Sequence, residues 1–240
     1  MPTHKSLGSL CRVVLSSGTI STSLNSLRPE IKQSSFPAPR TFKNKRQAFR
    51  LICSIQTKHI HSSRMASDGT TTAPNFTPSD LTHLRRAVAL AAESLAAGDA
   101  PFGSVLVSSS GEVLAEDRNR IATLKDATKH PEFELSRWAV AHIPSAEERC
   151  TTTMYTSGEH CPMCAAAHAF NGLGRIIYVA SGEQLAEWRA EFKGEQIPVR
   201  VAPLAAQTVA PNIEVLGPVP ELQEKIQEIH REYAKKNPRY

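Results

Sequence analysis

Two short segments carry the residue types that could do chemistry. His130 and Glu132 stand two residues apart, and Cys161 and Cys164 stand three apart. One imidazole and two thiols are ligands that zinc prefers, and three ligands leave the fourth tetrahedral position open for water. Glu132 is placed to move protons beside a metal ion rather than to bind the ion. The pattern therefore predicts one catalytic zinc site with one acid/base.

Both segments fall where the sequence predicts that helices begin. Pro131 suits the first turn of a helix that runs to about His142, and an Ala-rich helix follows Cys161 as far as Phe170. Cysteines three residues apart at a helix start face the same side of the first turn. The helix dipole favours their thiolate forms there, which are the forms that bind a metal.

Other interpretations of the same residues remain open. The cysteine pair is also typical of redox-active thiols, which would leave His130 and Glu132 unexplained. A closed structural zinc site is a further alternative, with a fourth ligand from Cys150, His160 or His168. Glu132 alone could be a first-turn glutamate that the helix dipole stabilises.

Several segments, in the same order along the chain, resemble the cytidine/deoxycytidylate deaminase superfamily, in the branch that holds guanine deaminases and tRNA adenosine deaminases. The matching segments are Pro101–Gly103, Asn119, Asp126–Glu132, Tyr155–Cys164 and Gly172–Tyr178. They define a motif core at residues 81–181, and His-x-Glu followed by Cys-x-x-Cys is the signature of zinc deaminases. The sequence departs from the usual pattern twice, with Pro131 where the family mostly has Ala and His160 where it mostly has Pro.

The resemblance implies an α/β fold, a three-layer α-β-α sandwich with a five-stranded mixed sheet and zinc held between two helix N-termini. It also implies a homodimer, and hydrolytic removal of the exocyclic amino group of a nucleobase, nucleoside or related heterocycle. Zinc would lower the pKa of its bound water from about 15.7 toward about 7. Glu132 would carry the proton to the ring and then to the leaving amine. A tRNA adenosine deaminase and a catalytically silent deaminase-like subunit are the alternatives.

Three residues are candidates for contact with the substrate. The resemblance implies that Asn119 reads the edge of the base, although asparagine also forms turns. Phe102 would either wall the base or belong to the core. Pro131 stands where the family's backbone N–H tends to donate to the base, and proline has no N–H. Because cytosine and guanine place a carbonyl oxygen there and adenine a C–H, the sequence favours an adenine-type ring, unless Pro131 only begins its helix.

Hydrophobic periodicity predicts the remaining elements. A capping box formed by Thr77 and Asp80 begins a helix that ends near Gly98. The predicted strands are Phe102–Val107, Glu112–Glu116, Thr153–Thr156, Arg175–Ala180 and, with weaker patterns, Val199–Pro203 and Ile213–Leu216. Further helices are predicted at Leu185–Phe192 and Pro220–Lys236. The continuous apolar run of Arg175–Ala180 is typical of a strand buried on both faces.

The net charge of +5 is unevenly distributed over the 240 residues. Residues 1–66 hold 11 Lys and Arg and one acidic residue, so the remainder is mildly acidic and does not attract nucleic acid in general, which favours a small-molecule substrate.

Residues 1–65 have the composition of a mitochondrial or plastid transit peptide or of a disordered basic arm, followed by a linker at 66–76 and the deaminase domain at 77–240. Met65 offers a second start, so we expect a targeted long form and a cytoplasmic short form. No apolar run reaches about 18 residues, which predicts no membrane span.

Overall fold

The computed structural model of the chain describes residues 75–194 and 201–237. The predicted arm of residues 1–65 and most of the predicted linker lie outside these residues. In chain order the elements are α1 (Pro78–Ala96), β1 (Gly103–Val107), β2 (Val113–Arg118), α2 (Ile121–Leu124), α3 (Pro131–His142), α4 (Ala146–Arg149), β3 (Thr153–Gly158), α5 (Pro162–Phe170), β4 (Arg175–Ala180), α6 (Gly182–Lys193), α7 (Ala206–Val209), β5 (Val215–Leu216) and α8 (Pro220–Lys236).

The strands form one five-stranded sheet in the order β2-β1-β3-β4-β5. β1 runs antiparallel to β2 and β3, whereas β3, β4 and β5 run parallel to one another. The sheet is therefore mixed, as predicted. Every residue of β3 is buried, and so is every residue of β4 after Arg175, which confirms the prediction of a strand covered on both faces.

Helices cover both faces of the sheet, and alternate side chains of the strands contact different helices. Val105 and Val107 of β1 pack with α1, α6 and α8 in the larger hydrophobic core. Leu106, between them, points to the opposite face and packs with Met154 of β3 and Leu135 of α3. Because strand side chains alternate between faces, residues of β1 and β3 at the parity of Leu106 lie beneath α3. The fold is thus a three-layer α-β-α sandwich.

The start of α1 is fixed to the sheet through its capping box. The backbone N–H of Asp80 donates to Oγ1 of Thr77 (3.1 Å), and the carboxylate of Asp80 accepts from the backbone N–H of Thr77 (2.9 Å). The hydroxyl of Tyr155 in β3 donates to the other carboxylate oxygen (2.7 Å). Gly103 lets α1 lie close to β1, because a Cβ atom there would overlap Leu90 and the backbone of the helix. The predicted helix start is confirmed.

One predicted strand is wrong in the part that the structure describes. Residues 201–203 of the segment Val199–Pro203 are not in a strand, and residues 199 and 200 lie outside the described ranges. Val201 is 63% exposed and Leu204 is 50% exposed, so this segment has no face that packs on the core. The edge of β4 pairs instead with the two residues of β5. Among residues 75–194 and 201–237, no helix combines the length and apolar character that crossing a membrane would require.

Candidate active site

The N-termini of α3 and α5 meet on one face of the sheet, and they carry the candidate ligands. His130 is the N-cap of α3 and Cys161 is the N-cap of α5, both with extended backbone, while Cys164 lies in the first turn of α5. Proline follows each N-cap, at the position where its missing N–H is not needed by the helix. The two helices pack against each other. Two helix starts that lie about thirty positions apart in the sequence therefore meet at one point.

The three ligand atoms form a triangle of the size that zinc requires. Sγ of Cys161 and Sγ of Cys164 are 3.5 Å apart, and Nδ1 of His130 lies 3.7 Å and 3.6 Å from them. With zinc–sulfur bonds of about 2.3 Å and a zinc–nitrogen bond of about 2.05 Å, a tetrahedral ion separates two thiolates by about 3.8 Å and a thiolate from an imidazole by about 3.6 Å. The donor set and its spacing therefore fit a zinc ion.

The thiols and the imidazole influence one another strongly. Hydrogen bonding with Cys164, together with the adjacent His130, lowers the pKa of Cys161 to about 4 although burial opposes this. Hydrogen bonding with Cys161, burial and the nearby Glu132 raise the pKa of Cys164. Burial lowers the pKa of His130, but Cys161 and the charge of Glu132 outweigh it and raise the pKa overall. A metal ion would replace the shared protons of this cluster, since ligands bind in their deprotonated forms.

Glu132 lies in the first turn of α3 and reaches down to the sheet. Only 4% of its surface is exposed. Oε1 accepts hydrogen bonds from the hydroxyls of Ser104 and Thr156, each at 3.0 Å, while Oε2 lies 3.7 Å from Sγ of Cys164. Burial raises the pKa of Glu132, although the neighbouring His130 opposes the shift. The structure thus places a buried carboxyl group beside the ligand triangle.

The candidate substrate residues lie in and beside the loop that leads to His130. The backbone N–H of Asn119 donates to the carbonyl oxygen of Phe102 (2.9 Å), and its Oδ1 accepts from the N–H of Ile121 (3.0 Å). Oδ1 therefore forms a turn, as the alternative interpretation expected, while Nδ2 makes no hydrogen bond to the protein within the described residues. Pro131 is buried between His130 and Glu132.

The ring of Phe102 is half-buried and packs mostly on the far side from α3. Its edge faces the imidazole of His230 in α8, with ring centroids 5.1 Å apart, and it belongs to the periphery of the larger core. It also covers Gly158, where a Cβ atom would lie 3.0 Å from the ring. The packing interpretation of Phe102 therefore has direct support, and its contact with a substrate stays a prediction.

The residues offered as a fourth ligand, and the neighbouring Glu159, lie outside the ligand triangle. No other His, Cys, Asp or Glu donor within the described ranges joins the triangle, which disfavours a closed structural site. Nε2 of His168 donates to the carbonyl oxygen of Gly174 (2.9 Å). His160 is only 2% exposed, and its ring lies edge-on to His168. The carboxylate of Glu159 accepts from the backbone N–H groups of Gly182 and Ala206. 

Ser104 and Thr156 were missed by reasoning from sequence. Both are polar residues at fully buried positions of central strands. A hydroxyl at an inward-facing strand position needs a partner, because an unpaired buried polar group is unfavourable. The alternation in β1 and β3 could therefore have marked both residues as partners of a buried polar group.

Known proteins resemble this chain over the segment that holds these residues. The model of the cytidine and deoxycytidylate deaminase zinc-binding region matches residues 77–180. A guanine deaminase from Bacillus subtilis is 37% identical over 107 residues, which is 44% of this chain and 67% of that protein. A protein named as a probable cytosine deaminase from Schizosaccharomyces pombe is 32% identical over 143 residues, which is 58% of this chain and 83% of that protein. The chain therefore belongs to the cytidine and deoxycytidylate deaminase family, whose enzymes are hydrolases acting on C–N bonds.

The fold has a solved counterpart. The structure of a guanine deaminase from Nitrosomonas europaea has a TM-score of 0.51 with 18% identity, over 70% of this chain and 90% of that chain. At this identity the similarity concerns the fold alone. Three tRNA-specific adenosine deaminases are matched as well, over 50–56% of their length.

Proposed function

We propose that this protein is a zinc-dependent hydrolytic deaminase that removes the exocyclic amino group of a nucleobase, nucleoside or related heterocycle. The supporting observation is the convergence of a three-ligand triangle with a buried carboxyl group whose Oε2 lies 3.7 Å from one ligand. A redox pair would have no use for that carboxyl group, and a closed metal site would have four ligands.

His130, Cys161 and Cys164 would hold the zinc ion, which when bound lowers the pKa of a water molecule and so supplies a nucleophile at neutral pH. Glu132 orients the attacking water, takes its proton and delivers that proton to the ring nitrogen. It then transfers the second proton to the amino group, which leaves as ammonia while the ring carbon gains a carbonyl oxygen. Burial raises the pKa of Glu132, which makes its carboxylate a stronger proton acceptor than an exposed one.

Asn119 and Pro131 bear on which ring is bound. The Nδ2 group of Asn119 makes no hydrogen bond to the described protein and is thus available to an acceptor on a base edge. Pro131 supplies no N–H beside Glu132, so a substrate carbonyl at that point would lose a donor, at about 1–3 kcal/mol. This favours an adenine-type ring, in contrast to the guanine and cytosine deaminases among the relatives.

The decisive test is ammonia release by the zinc-loaded full-length chain. The substrates are adenine, guanine, cytosine, their nucleosides and a tRNA anticodon stem-loop, and Glu132→Gln is the control. We expect release from a small compound that the control does not turn over. Zinc bound without release from any substrate would favour a catalytically silent subunit instead.

The role of Pro131 is tested by Pro131→Ala, which restores a backbone N–H at the same helix position. We expect kcat/KM for guanine or cytosine to rise about 5-fold or more relative to adenine, which corresponds to about 1 kcal/mol. An unchanged ratio would mean that Pro131 only begins its helix.

A tRNA adenosine deaminase is the second candidate, and it is favoured by the cationic end of α8 and by the tRNA-specific relatives. Lys235 and Lys236 lie in the last turn, whereas Arg231 lies 3.9 Å from Glu191 and stacks over Phe192. Two cations at a helix end are also common without any ligand. A stem-loop that binds in a gel shift, weakens with salt and alone releases ammonia would establish this alternative.

The assembly and location of the protein are further proposals that rest on the sequence. We propose a homodimer, which analytical ultracentrifugation would detect, and an arm at residues 1–65 that directs the long form to a mitochondrion or plastid. Translation from Met65 would give a cytoplasmic form. N-terminal peptide mapping that finds a single start would exclude two products.

A further inference from the structure

Two hydroxyl side chains lie directly beneath the carboxyl group of Glu132. Ser104 of β1 and Thr156 of β3 are opposite each other in the antiparallel pairing of these strands. Both residues are fully buried, and their side-chain oxygens are 3.0 Å apart. Each oxygen also lies 3.0 Å from Oε1 of Glu132. One oxygen of the carboxyl group is therefore held by donors from two different strands.

The other oxygen is directed to the candidate ligands. Oε2 of Glu132 lies 3.7 Å from Sγ of Cys164, and the hydroxyls of Ser104 and Thr156 contact only Oε1. A glutamate side chain can rotate about three bonds. Apolar packing alone would not distinguish between its two carboxyl oxygens. Donors that contact one oxygen alone do make that choice, because a buried carboxyl group keeps the orientation that satisfies it.

The side chains of Ser104 and Thr156 are held in place by their surroundings. The hydroxyl of Thr156 also lies 2.9 Å from the carbonyl oxygen of Gly158, just before the loop to Cys161. Ser104 sits between Gly103 and Val105 in a strand of which every residue is buried. The single hydroxyl hydrogen of Thr156 is thus shared between Gly158 and Oε1, and that of Ser104 between Thr156 and Oε1. Both hydroxyls stand on central strands, which support a catalytic group more rigidly than a loop does.

We infer that Ser104 and Thr156 are positioning residues for the proposed deamination: they hold Oε1 of Glu132 against the sheet so that Oε2 faces the reacting water. This inference rests on the proposed function of Glu132. No hydrogen bond joins either hydroxyl to His130, Cys161 or Cys164 in the described residues, so the pair acts through the glutamate and not through the metal ligands.

The kinetic test compares Ser104→Ala, Thr156→Val and the double variant with Ser157→Ala in the full-length chain. Ser157 is the matched control, because its buried hydroxyl accepts from the backbone N–H of Gly103 (3.1 Å) in the same two strands. We expect kcat on the active probe among adenine, guanine and cytosine to fall about 10-fold in each single variant and at least as far in the double variant, without simple multiplication because the two hydroxyls contact each other. KM, zinc content by atomic absorption and the kcat of the control should stay close to wild type.

Conservative variants separate positioning from damage to the sheet. Ser104→Thr and Thr156→Ser keep a hydroxyl at each position, and we expect them to recover most of the wild-type kcat. An equal loss in Ser157→Ala, or an unchanged kcat in the double variant of an active enzyme, would overturn the inference. Wild-type protein that turns over none of the probes would instead refute the proposed function.

A second measurement does not depend on activity. Urea unfolding of the zinc-loaded protein gives the destabilisation caused by Ser104→Ala and by Glu132→Ala, alone and together. Because residues in direct contact are energetically coupled, we expect Ser104→Ala to destabilise the Glu132→Ala protein less than it destabilises wild type. Strictly additive effects would show that the hydroxyl does not hold Glu132 and would overturn the inference whatever the substrate.

Discussion

Mild acid should destabilise this domain because the imidazole of His168 is buried in it without a partner for a second proton. His168 of α5 is fully buried, and its Nε2 donates to the carbonyl oxygen of Gly174, so Nε2 carries the hydrogen. Nδ1 has no hydrogen-bond partner within the described residues. Protonation of Nδ1 would place a charge in the core, and burial accordingly lowers the pKa of His168 to about 4.

The magnitude follows from the difference between the folded and the unfolded chain. In the unfolded chain the pKa of a histidine is about 6.5, so between pH 6.5 and about 4 the unfolded state binds a proton that the folded state does not. The stability contributed by neutral His168 is therefore present above pH 6.5 and is lost as the pH falls. From pH 7 to pH 5 the loss is about 2 kcal/mol. Burial and the charge of Arg189 lower the pKa of His230 in α8 to about 3. This residue should therefore cause a similar loss of stability between pH 7 and pH 5.

His168→Gln isolates this term, because glutamine can still donate to Gly174 and does not titrate. Urea unfolding of the zinc-loaded wild type and variant at pH 7 and pH 5 gives the free energy of unfolding of each. Metal release and other titrating groups affect both proteins, so they cancel in the difference. We expect that difference to change by about 2 kcal/mol in favour of the variant at pH 5. A difference that does not depend on pH would refute a neutral, buried His168.

Three further predictions concern the frame around the site. Glu159→Ala should destabilise the fold by about 2 kcal/mol in urea unfolding, because the N–H groups of Gly182 and Ala206 lose their acceptor. Glu159→Gln keeps an acceptor oxygen and should have a smaller effect. Gly103→Ala should lower stability by about 3 kcal/mol, since its Cβ would overlap Leu90; a thermal melt unchanged from wild type would contradict the close approach of α1 to β1. Removal of zinc by a chelator should lower the melting temperature, and one equivalent of zinc should restore it; equal melting of the two forms would argue against the metal centre.

Much of the fold could be predicted because its signals are local. The Thr77–Asp80 capping box and the prolines after His130 and Cys161 mark helix starts within one turn, and the structure begins helices there. The apolar run of Arg175–Ala180 likewise suffices to identify a central strand. The segment Val199–Pro203 has apolar residues too, but a strand also needs a free edge to pair with, and the sequence does not say which segment takes the edge of β4.

The sequence likewise indicates only some of the residues of the candidate site. The ligand types and their spacing single out His130, Cys161 and Cys164, and the structure brings these three together. The hydroxyls of Ser104 and Thr156 could not be assigned to Glu132, because the register of β1 against β3 joins residues 52 positions apart. Burial of His160 depends on the packing of its ring against His168, and no local pattern indicates it.

Because His130 and Glu132 are only two residues apart, the start of α3 places one side chain against α5 and the other against the sheet. His130 is the N-cap with extended backbone and Glu132 lies in the first helical turn, so their side chains leave the helix start in different directions. His130 accordingly lies beside the thiols of α5, at 3.6 Å and 3.7 Å, whereas Glu132 reaches the hydroxyls of the sheet at 3.0 Å. Glu134, four residues after His130, does not join the candidate ligands and lies instead 3.3 Å from Lys129 and from Arg137. The carboxyl group contacts the sheet through Oε1 and approaches the candidate ligands only with Oε2, which is the arrangement that the proposed proton transfer without metal binding requires.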